Sequence, residues 1–340
     1  MRTFNKTVKF IKDLSDIHSL SRSECLIIYD QVLSQNLEVN AWLKKFSKTY
    51  GVEAGENLKE LTSFSNHFEK IAKILAGTSR KIKIVAMGGG SVTDFAGFFA
   101  STYKRGVKLV LVPSTWLAAI DSAHGGKNGL NAGSLKNAMG TFYFPEKIYL
   151  VKSVLKAQPR ERQAEAYGEL LKIALISGKP WVNKVLEGKE LKLWRLLPLA
   201  VKAKYDVIAK DPYEEKGVRQ ILNLGHTLGH IIEKKNSLPH GVAVGHGIVF
   251  ASRWSEKRGL LKGENQKKIE ALIKKFQNSK NKLKPLTKVD LEDGLRGDKK
   301  INLRGKIDFV FLRKPGKVFL EEVSIADLTD EAIAQGWAKV

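Results

Sequence analysis

The chain has 340 residues, with 58 Lys and Arg against 35 Asp and Glu, a formal net charge of +23. At ~150 residues per domain this length suggests two domains, and 43% hydrophobic with 27% charged residues is the composition of a folded chain. No run of ~18 uncharged apolar residues occurs, which excludes an ordinary transmembrane helix, and a single cysteine, Cys25, excludes a disulfide framework or a Cys-based zinc finger.

The N-terminus lacks the apolar core of ~7–15 residues that a secretory signal needs, so a soluble cytoplasmic protein is expected. Residues 24–30 read as a buried strand ending on Asp30. Residues 39–50 mix strand and helix signals. Apolar residues at Leu58, Leu61, Phe64, Phe68, Ile71 and Leu75 predict an amphipathic helix. A short strand over 81–87, the break Gly88-Gly89-Gly90-Ser91, a helix over 92–103 and a strand over 108–112 follow. Alternation of this kind predicts a parallel sheet with helices on both faces. Pro113 to Pro145 reads as a long polar, glycine-rich loop carrying Lys127. The pattern changes near residues 156–160. Beyond it, helices are predicted over 162–176, 191–209, 222–235, 242–257 and 266–276, with strand signals only at 307–312 and 318–323. The expected domains are 1–155, Rossmann-like α/β, and 156–340, an all-α or mainly helical metal-binding domain.

Three features carry chemistry. A strand, a glycine-rich turn and a helix offer backbone N–H groups to a pyrophosphate, although the spacing is not G-x-G-x-x-G. Lys127, between Gly126 and Asn128, reads as a cation in an anion cradle. Four of the seven histidines, His226, His230, His240 and His246, fall within 21 residues. His226 and His230 are four apart on a helix, so they share a face. A pair of this kind plus an acid such as Glu169 suits a catalytic divalent ion, but spacing does not choose which histidines bind. Lys172, Lys204, Arg219 and Asn223 add donors for a polyanionic substrate.

These blocks together resemble the 3-dehydroquinate synthase family of sugar-phosphate cyclases, a superfamily shared with iron-containing alcohol and glycerol dehydrogenases. The resemblance runs from about Asp30 to Leu312. It rests on Gly88-Gly89-Gly90 through Asp94-Phe95-Ala96-Gly97, on Thr102 to Gly106, on Pro113-Ser114-Thr115, and on Asp121-Ser122 with Gly125-Gly126-Lys127. Asn131, Lys136-Asn137, Arg219 to His230, His240-Gly241 and Gly297-Asp298-Lys299-Lys300 complete it.

The resemblance implies an NAD-binding α/β domain, a helical domain with one divalent metal, zinc or cobalt, and an active site in the cleft between them. It implies Glu169, His226 and His240 as metal ligands, and His230 as a substrate-contacting residue. Arg105, Asp121, Lys127, Asn137, Lys172, Lys204, Arg219, Asn223 and either Lys299 or Lys300 match further catalytic or substrate positions. Asp30, Glu56, Lys59, Gly89, Gly90, Asp94, Ser114, Thr115, Lys127 and Lys136 match cofactor positions. Arg105 would reach the phosphate site of a neighbouring subunit, which implies a homodimer. The implied reaction converts 3-deoxy-D-arabino-heptulosonate 7-phosphate to 3-dehydroquinate and phosphate. This chain departs from the family pattern at Thr93, His124, Asn128, Ala157-Gln158 and Val242; the last stands where an acid usually follows the His-Gly pair. Another sugar-phosphate cyclase, of inosose or valiolone type, and a metal-dependent polyol dehydrogenase remain the alternatives.

The charge is uneven. Residues 257–317 hold 19 Lys and Arg against 7 acids. Without a nucleic-acid-binding motif beside it, this segment reads as a solvated helical face with basic loops. Neither nucleic acid nor a membrane is expected as a partner; a small sugar phosphate is.

Overall fold

The computed structural model describes residues 4–133, 135–178, 180–188, 191–277, 283–296 and 305–339. The chain forms two compact units, Met1–Pro159 and Arg160–Val340.

In the first unit a short helix, α1 (Phe4–Thr7), precedes β1 (Val8–Ile11) and β2 (Cys25–Asp30). There follow α2 (Leu37–Leu43), β3 (Thr49–Val52), α3 (Leu61–Ile74), β4 (Lys83–Gly88), α4 (Gly90–Thr102), β5 (Lys108–Pro113) and α5 (Trp116–Ile120). The strands β6 (Lys127–Ala132), β7 (Leu135–Phe142) and β8 (Lys147–Val151) and the helix α6 (Lys152–Lys156) complete it. Six strands make one parallel sheet in the order β1-β8-β5-β4-β2-β3. The four residues Cys25 to Ile28 are all buried, as a strand covered on both faces requires. The ambiguous 39–50 segment resolves into the end of α2 and the start of β3. The expected helix over 58–75 is α3, preceded by a 3-10 turn at Glu56–Lys59.

The chain runs from β2 out to the edge strand β3 and then returns to place β4 on the other side of β2. That reversal is the switch point at which open α/β sheets bind ligands, beyond the carboxyl ends of the strands. Asp30, Gly88 and Pro113 are the last residues of β2, β4 and β5 and so stand along that edge.

The expected long loop is a correction. Residues 113–145 contain α5 and an antiparallel hairpin, β6–β7. The glycines that suggested a loop instead allow close packing. A Cβ on Gly97 of α4 would lie 1.8 Å from Asn128 Oδ1 on β6, so α4 and the hairpin approach nearer than any other residue permits.

The second unit is mainly helical: α7 (Arg160–Ser177), α8 (Trp181–Leu186), α9 (Leu193–Ile208), α10 (His226–Asn236), α11 (His240–Lys257), α12 (Gly263–Gln277), α13 (Lys288–Arg296) and α14 (Ile325–Ala334). The short strands β9 (Leu286–Thr287) and β12 (Ala338–Lys339) pair with each other, and the two expected late strands form a hairpin of β10 (Lys306–Lys314) and β11 (Lys317–Ser324). The predicted helix over 222–235 begins later than its periodicity suggested. Val218–Asn223 is a 3-10 turn, and Gly225 at φ 81° interrupts the chain before His226. Among the described residues no helix is long and apolar enough to cross a membrane.

Candidate functional site

In the helical unit, glycine contacts bring α7, α10 and α11 to backbone distance. A Cβ on Gly241 would stand 1.6 Å from the Glu165 carbonyl oxygen, and one on Gly247 would stand 1.8 Å from the Gly225 carbonyl oxygen. These crossings place Glu169 of α7 beside the first residues of α10 and α11, His226 and His240. Glu169 Oε1 lies 3.5 Å from His226 Nε2 and 3.5 Å from His240 Nε2. Donors bonded to a tetrahedral zinc at 2.0–2.2 Å stand about 3.4 Å apart; both Glu169–His separations match this, and all three donor atoms lie within 4.8 Å of one another.

The carboxylate is fully buried. Lys172 Nζ is ion-paired with Oε2 at 2.5 Å, one helical turn away. Oε1 faces the histidines and accepts no hydrogen bond, which is unusual for a buried oxygen and is a place where a cation could sit. Both rings are held through their other nitrogen. His226 Nδ1 is 3.2 Å from the Leu224 carbonyl oxygen, and His240 Nδ1 is 2.9 Å from Glu233 Oε2. These acceptors put the proton on Nδ1 and leave each Nε2 a lone pair for a metal. Burial works against a charged His240, but the neighbouring Glu169 and Glu233 carboxylates outweigh this and carry its pKa up to about 10.

His230 is exposed on α10, with its ring 5.2 Å from that of His226 and 5.8 Å from that of His240. His246, the fourth histidine of the group, is elsewhere, packed edge-on to Trp337 at 5.7 Å.

Three cations of this unit are almost wholly buried: Lys172 on α7, Lys204 on α9 and Arg219, with 2%, 5% and 4% exposure. Burying so much positive charge is costly unless an anion or carboxylate meets it. Arg219 is fixed by a loop that the sequence reading missed. Buried Asp211 accepts from the N–H groups of Glu215, Lys216 and Val218 at 2.9–3.2 Å, and Arg219 Nη1 donates to the Pro212 carbonyl at 2.8 Å. Asn223 ends the same 3-10 turn. Glu233 was also missed; its only sequence signal is that it lies one turn after His230, toward the same helix face. Lys299 and Lys300 lie outside the described residues.

In the α/β unit, Asp30 ends β2 and accepts from the Val32 N–H; burial raises its pKa. Gly89 caps α4 and Gly90 opens it. A Cβ on Gly88 would fall 2.5 Å from the Val92 side chain, which is why the turn needs glycine there. The Ser114 N–H donates to the Gly88 carbonyl, and Thr115 caps α5 through its hydroxyl. Lys59 is buried. Its Nζ donates to Asp94 Oδ2 at 2.9 Å and to Asn137 Oδ1 at 2.5 Å, and lies 3.9 Å from Glu56. Burial pushes Asp94 up to about 6, against the pull of Lys59. Asp121 caps the C-terminus of α5. Lys127 and Lys136 are exposed on the hairpin, and Asn137 sits on it at φ 50°. Arg105 is exposed at φ 62° just after α4, and its carbonyl accepts from Arg80 Nη2 at 2.9 Å.

The sequence matches the family model for the 3-dehydroquinate synthase N-terminal domain over residues 49–165 and that for the C-terminal domain over residues 166–301. A 3-dehydroquinate synthase of Thermococcus kodakarensis is 38% identical over 298 residues, covering 84% of this chain and 83% of that one. One from Thermoplasma volcanium is 34% identical over 284 residues, covering 81% and 77%. Among solved structures, a 2-deoxy-scyllo-inosose synthase complexed with carbaglucose-6-phosphate, NAD+ and Co2+ matches with a TM-score of 0.83 at 25% identity, covering 97% of this chain and 96% of that one.

Proposed function

The chain belongs to the 3-dehydroquinate synthase family, and from that premise we propose how its residues divide the reaction. It is an NAD- and divalent-metal-dependent lyase that converts 3-deoxy-D-arabino-heptulosonate 7-phosphate to 3-dehydroquinate and inorganic phosphate, a step of aromatic amino acid biosynthesis. The observation that carries this reading is the Glu169–His226–His240 cluster with an orphaned carboxylate oxygen and buried cations in the same unit.

In the reaction the C5 hydroxyl is oxidised to a ketone, which acidifies the C6 proton. Phosphate leaves from C7, the ketone is reduced again, and the opened ring closes by an intramolecular aldol addition. When bound, NAD accepts and returns the hydride, and a zinc or cobalt ion polarises the hydroxyl that is oxidised. We assign NAD to the first unit, with Asp30, Glu56, Lys59, Gly89, Gly90, Asp94, Ser114, Thr115, Lys127 and Lys136, and the metal to Glu169, His226 and His240. Lys172, Lys204 and Arg219 balance phosphate and carboxylate charge with cations already stripped of water, so they need little reorganisation as charge moves. Asp121, Lys127, Asn137, Asn223 and Lys300 complete the substrate contacts. His230, exposed beside the metal ligands, orients a hydroxyl or moves its proton. Because the substrate's own phosphate can take the C6 proton, the protein's part is mostly positioning.

We further propose a homodimer in which Arg105 serves the neighbouring subunit's phosphate. Its exposed side chain on a backbone pinned by Arg80 supports this. So do the exposed apolar side chains of Leu135, Met139 and Phe142 on β7. The lone reduced cysteine and the absence of a spanning helix among the described residues agree with a cytoplasmic enzyme.

The test is substrate choice. Metal-loaded protein with NAD should release phosphate from the heptulosonate phosphate and not from a hexose 6-phosphate lacking the carboxylate. The reverse preference would move the assignment to an inosose-type cyclase.

A further inference from the structure

The β6–β7 hairpin is irregular at one point. Leu130 pairs with Met139 and Ala132 with Leu135, so a single residue of β6, Asn131, faces three of β7, Lys136 to Ala138. A bulge of this kind leaves ladder groups unpaired and re-aims side chains. Asn131 closes it. Its Oδ1 accepts from the Asn137 N–H at 2.8 Å, and its Nδ2 donates to Glu56 Oε1 at 2.7 Å and more weakly to Glu60 at 3.4 Å. Asn131 is buried, and its backbone also bridges to that of Glu60.

The contacts form a ring. Asn131 holds Glu56; Glu56 lies 3.9 Å from Lys59; Lys59 donates to Asn137 Oδ1; and the Asn137 N–H returns to Asn131. Asn137 has φ 50°, a left-handed conformation that Asn tolerates better than most residues but that still needs support. The ring supplies it from both ends of the residue. The position requires a donor on one side and an acceptor on the other, and a primary amide offers both. An aspartate would keep the bond to the Asn137 N–H but would set a third carboxylate against Glu56 and Glu60.

We propose that Asn131 is a positioning residue that couples NAD binding to phosphate binding, by tying the nucleotide-side residues Glu56 and Lys59 to the Asn137 bulge. This rests on the reading that Glu56 and Lys59 serve NAD and that Asn137 is one of the substrate contacts that meet its phosphate. Whatever orders one side of the ring orders the other, and the coupling is reciprocal.

The experiment is calorimetric titration of the metal-loaded full chain with inorganic phosphate, with and without NAD, for the parent, Asn131→Ala and Asn131→Asp. In the parent, NAD tightens phosphate severalfold, and phosphate tightens NAD by the same factor. Asn131→Ala weakens each ligand by about tenfold and abolishes the mutual tightening. Asn131→Asp holds phosphate within about threefold of the parent, because the bond to the Asn137 N–H survives, and weakens NAD as Ala does. A hairpin that merely lost stability would damage both ligands in both variants, so this split between ligands is the signature. Unchanged coupling in Asn131→Ala, or equal losses of both ligands in Asn131→Asp, overturns the proposal. Failure of the parent to bind NAD at all overturns the functional reading beneath it.

Discussion

Glu169, His226 and His240 are brought together by bare backbone, whereas Glu56, Lys59, Asp94, Asn131 and Asn137 are brought together by one another. In the helical unit, contacts at Gly241 and Gly247 set how closely three helices pass, and the ligands project from the crossing. In the α/β unit Gly97 lets α4 lie against the hairpin, but the network itself is fixed pair by pair by donors and acceptors. The first arrangement is intolerant of added volume, and the second is intolerant of altered polarity.

The largest expected effect comes from the ligands. His226→Ala should leave no bound metal and no measurable phosphate release, by metal analysis and assay. His230→Ala should keep about one metal per chain and lose ~10²–10⁴ in turnover; loss of the metal there would contradict the ligand assignment. Next comes the clamp. Gly241→Ala forces a carbon against the Glu165 carbonyl, and should lower unfolding free energy by ~1–3 kcal/mol or more in urea titrations, with metal affinity falling alongside. The matching change in the other unit is one of polarity. Lys59→Met keeps the volume but removes the Nζ bonds to Asp94 and Asn137, and should cost about 1–3 kcal/mol with a weaker NAD Kd and unaltered metal content.

A smaller effect separates holding a ligand from being one. Glu233→Gln keeps an oxygen opposite His240 Nδ1 but removes its charge, and should weaken metal binding by about 10–100-fold in chelator competition, with thermal stability nearly unchanged. Glu233 is the carboxylate that holds the His240 Nδ1.

The last effect is a response to pH of opposite sign in the two units. Burial lowers the His246 pKa to about 4. Its contribution to stability is present above pH ~6.5, the unfolded value, and is lost as pH falls toward 4, by up to about 3 kcal/mol. Burial raises Asp94 to about 6. Its contribution is present below pH ~4 and is lost as pH rises through 6, by a similar amount. His246→Phe should therefore flatten the acid limb of the stability profile, and Asp94→Asn the limb between pH 4 and 6, both read from denaturation midpoints.

The same contrast explains what could be read from the sequence. Spacing alone placed His226 and His230 on one helix face, and the strand–glycine–helix turn at Gly88–Gly90 was legible because glycine there has a steric reason. Spacing could not choose between His230 and His240, because that depends on where α11 begins relative to α10. The 113–145 segment read as a loop, since the glycines that let β6 lie against α4 look the same as glycines that make turns. Asn131 and Glu233 gave little signal. Asn131 acts through hydrogen bonds to Glu56, Glu60 and Asn137, and Glu233 through one to His240 on the next helix; nothing local marks such partners. Four of the 19 basic residues of the 257–317 segment are paired at the surface: Lys257, Arg258, Lys268 and Lys274 with Glu331, Glu321, Glu264 and Glu270.

The central claim is that NAD is regenerated in every cycle and that oxidation serves elimination. Its most direct test is the count of phosphate released per NAD when the metal-loaded enzyme turns over the heptulosonate phosphate with NAD far below substrate. Many phosphates per NAD with no NADH accumulating is the expected result. One NADH formed for each substrate consumed would contradict it and mark the protein as a dehydrogenase.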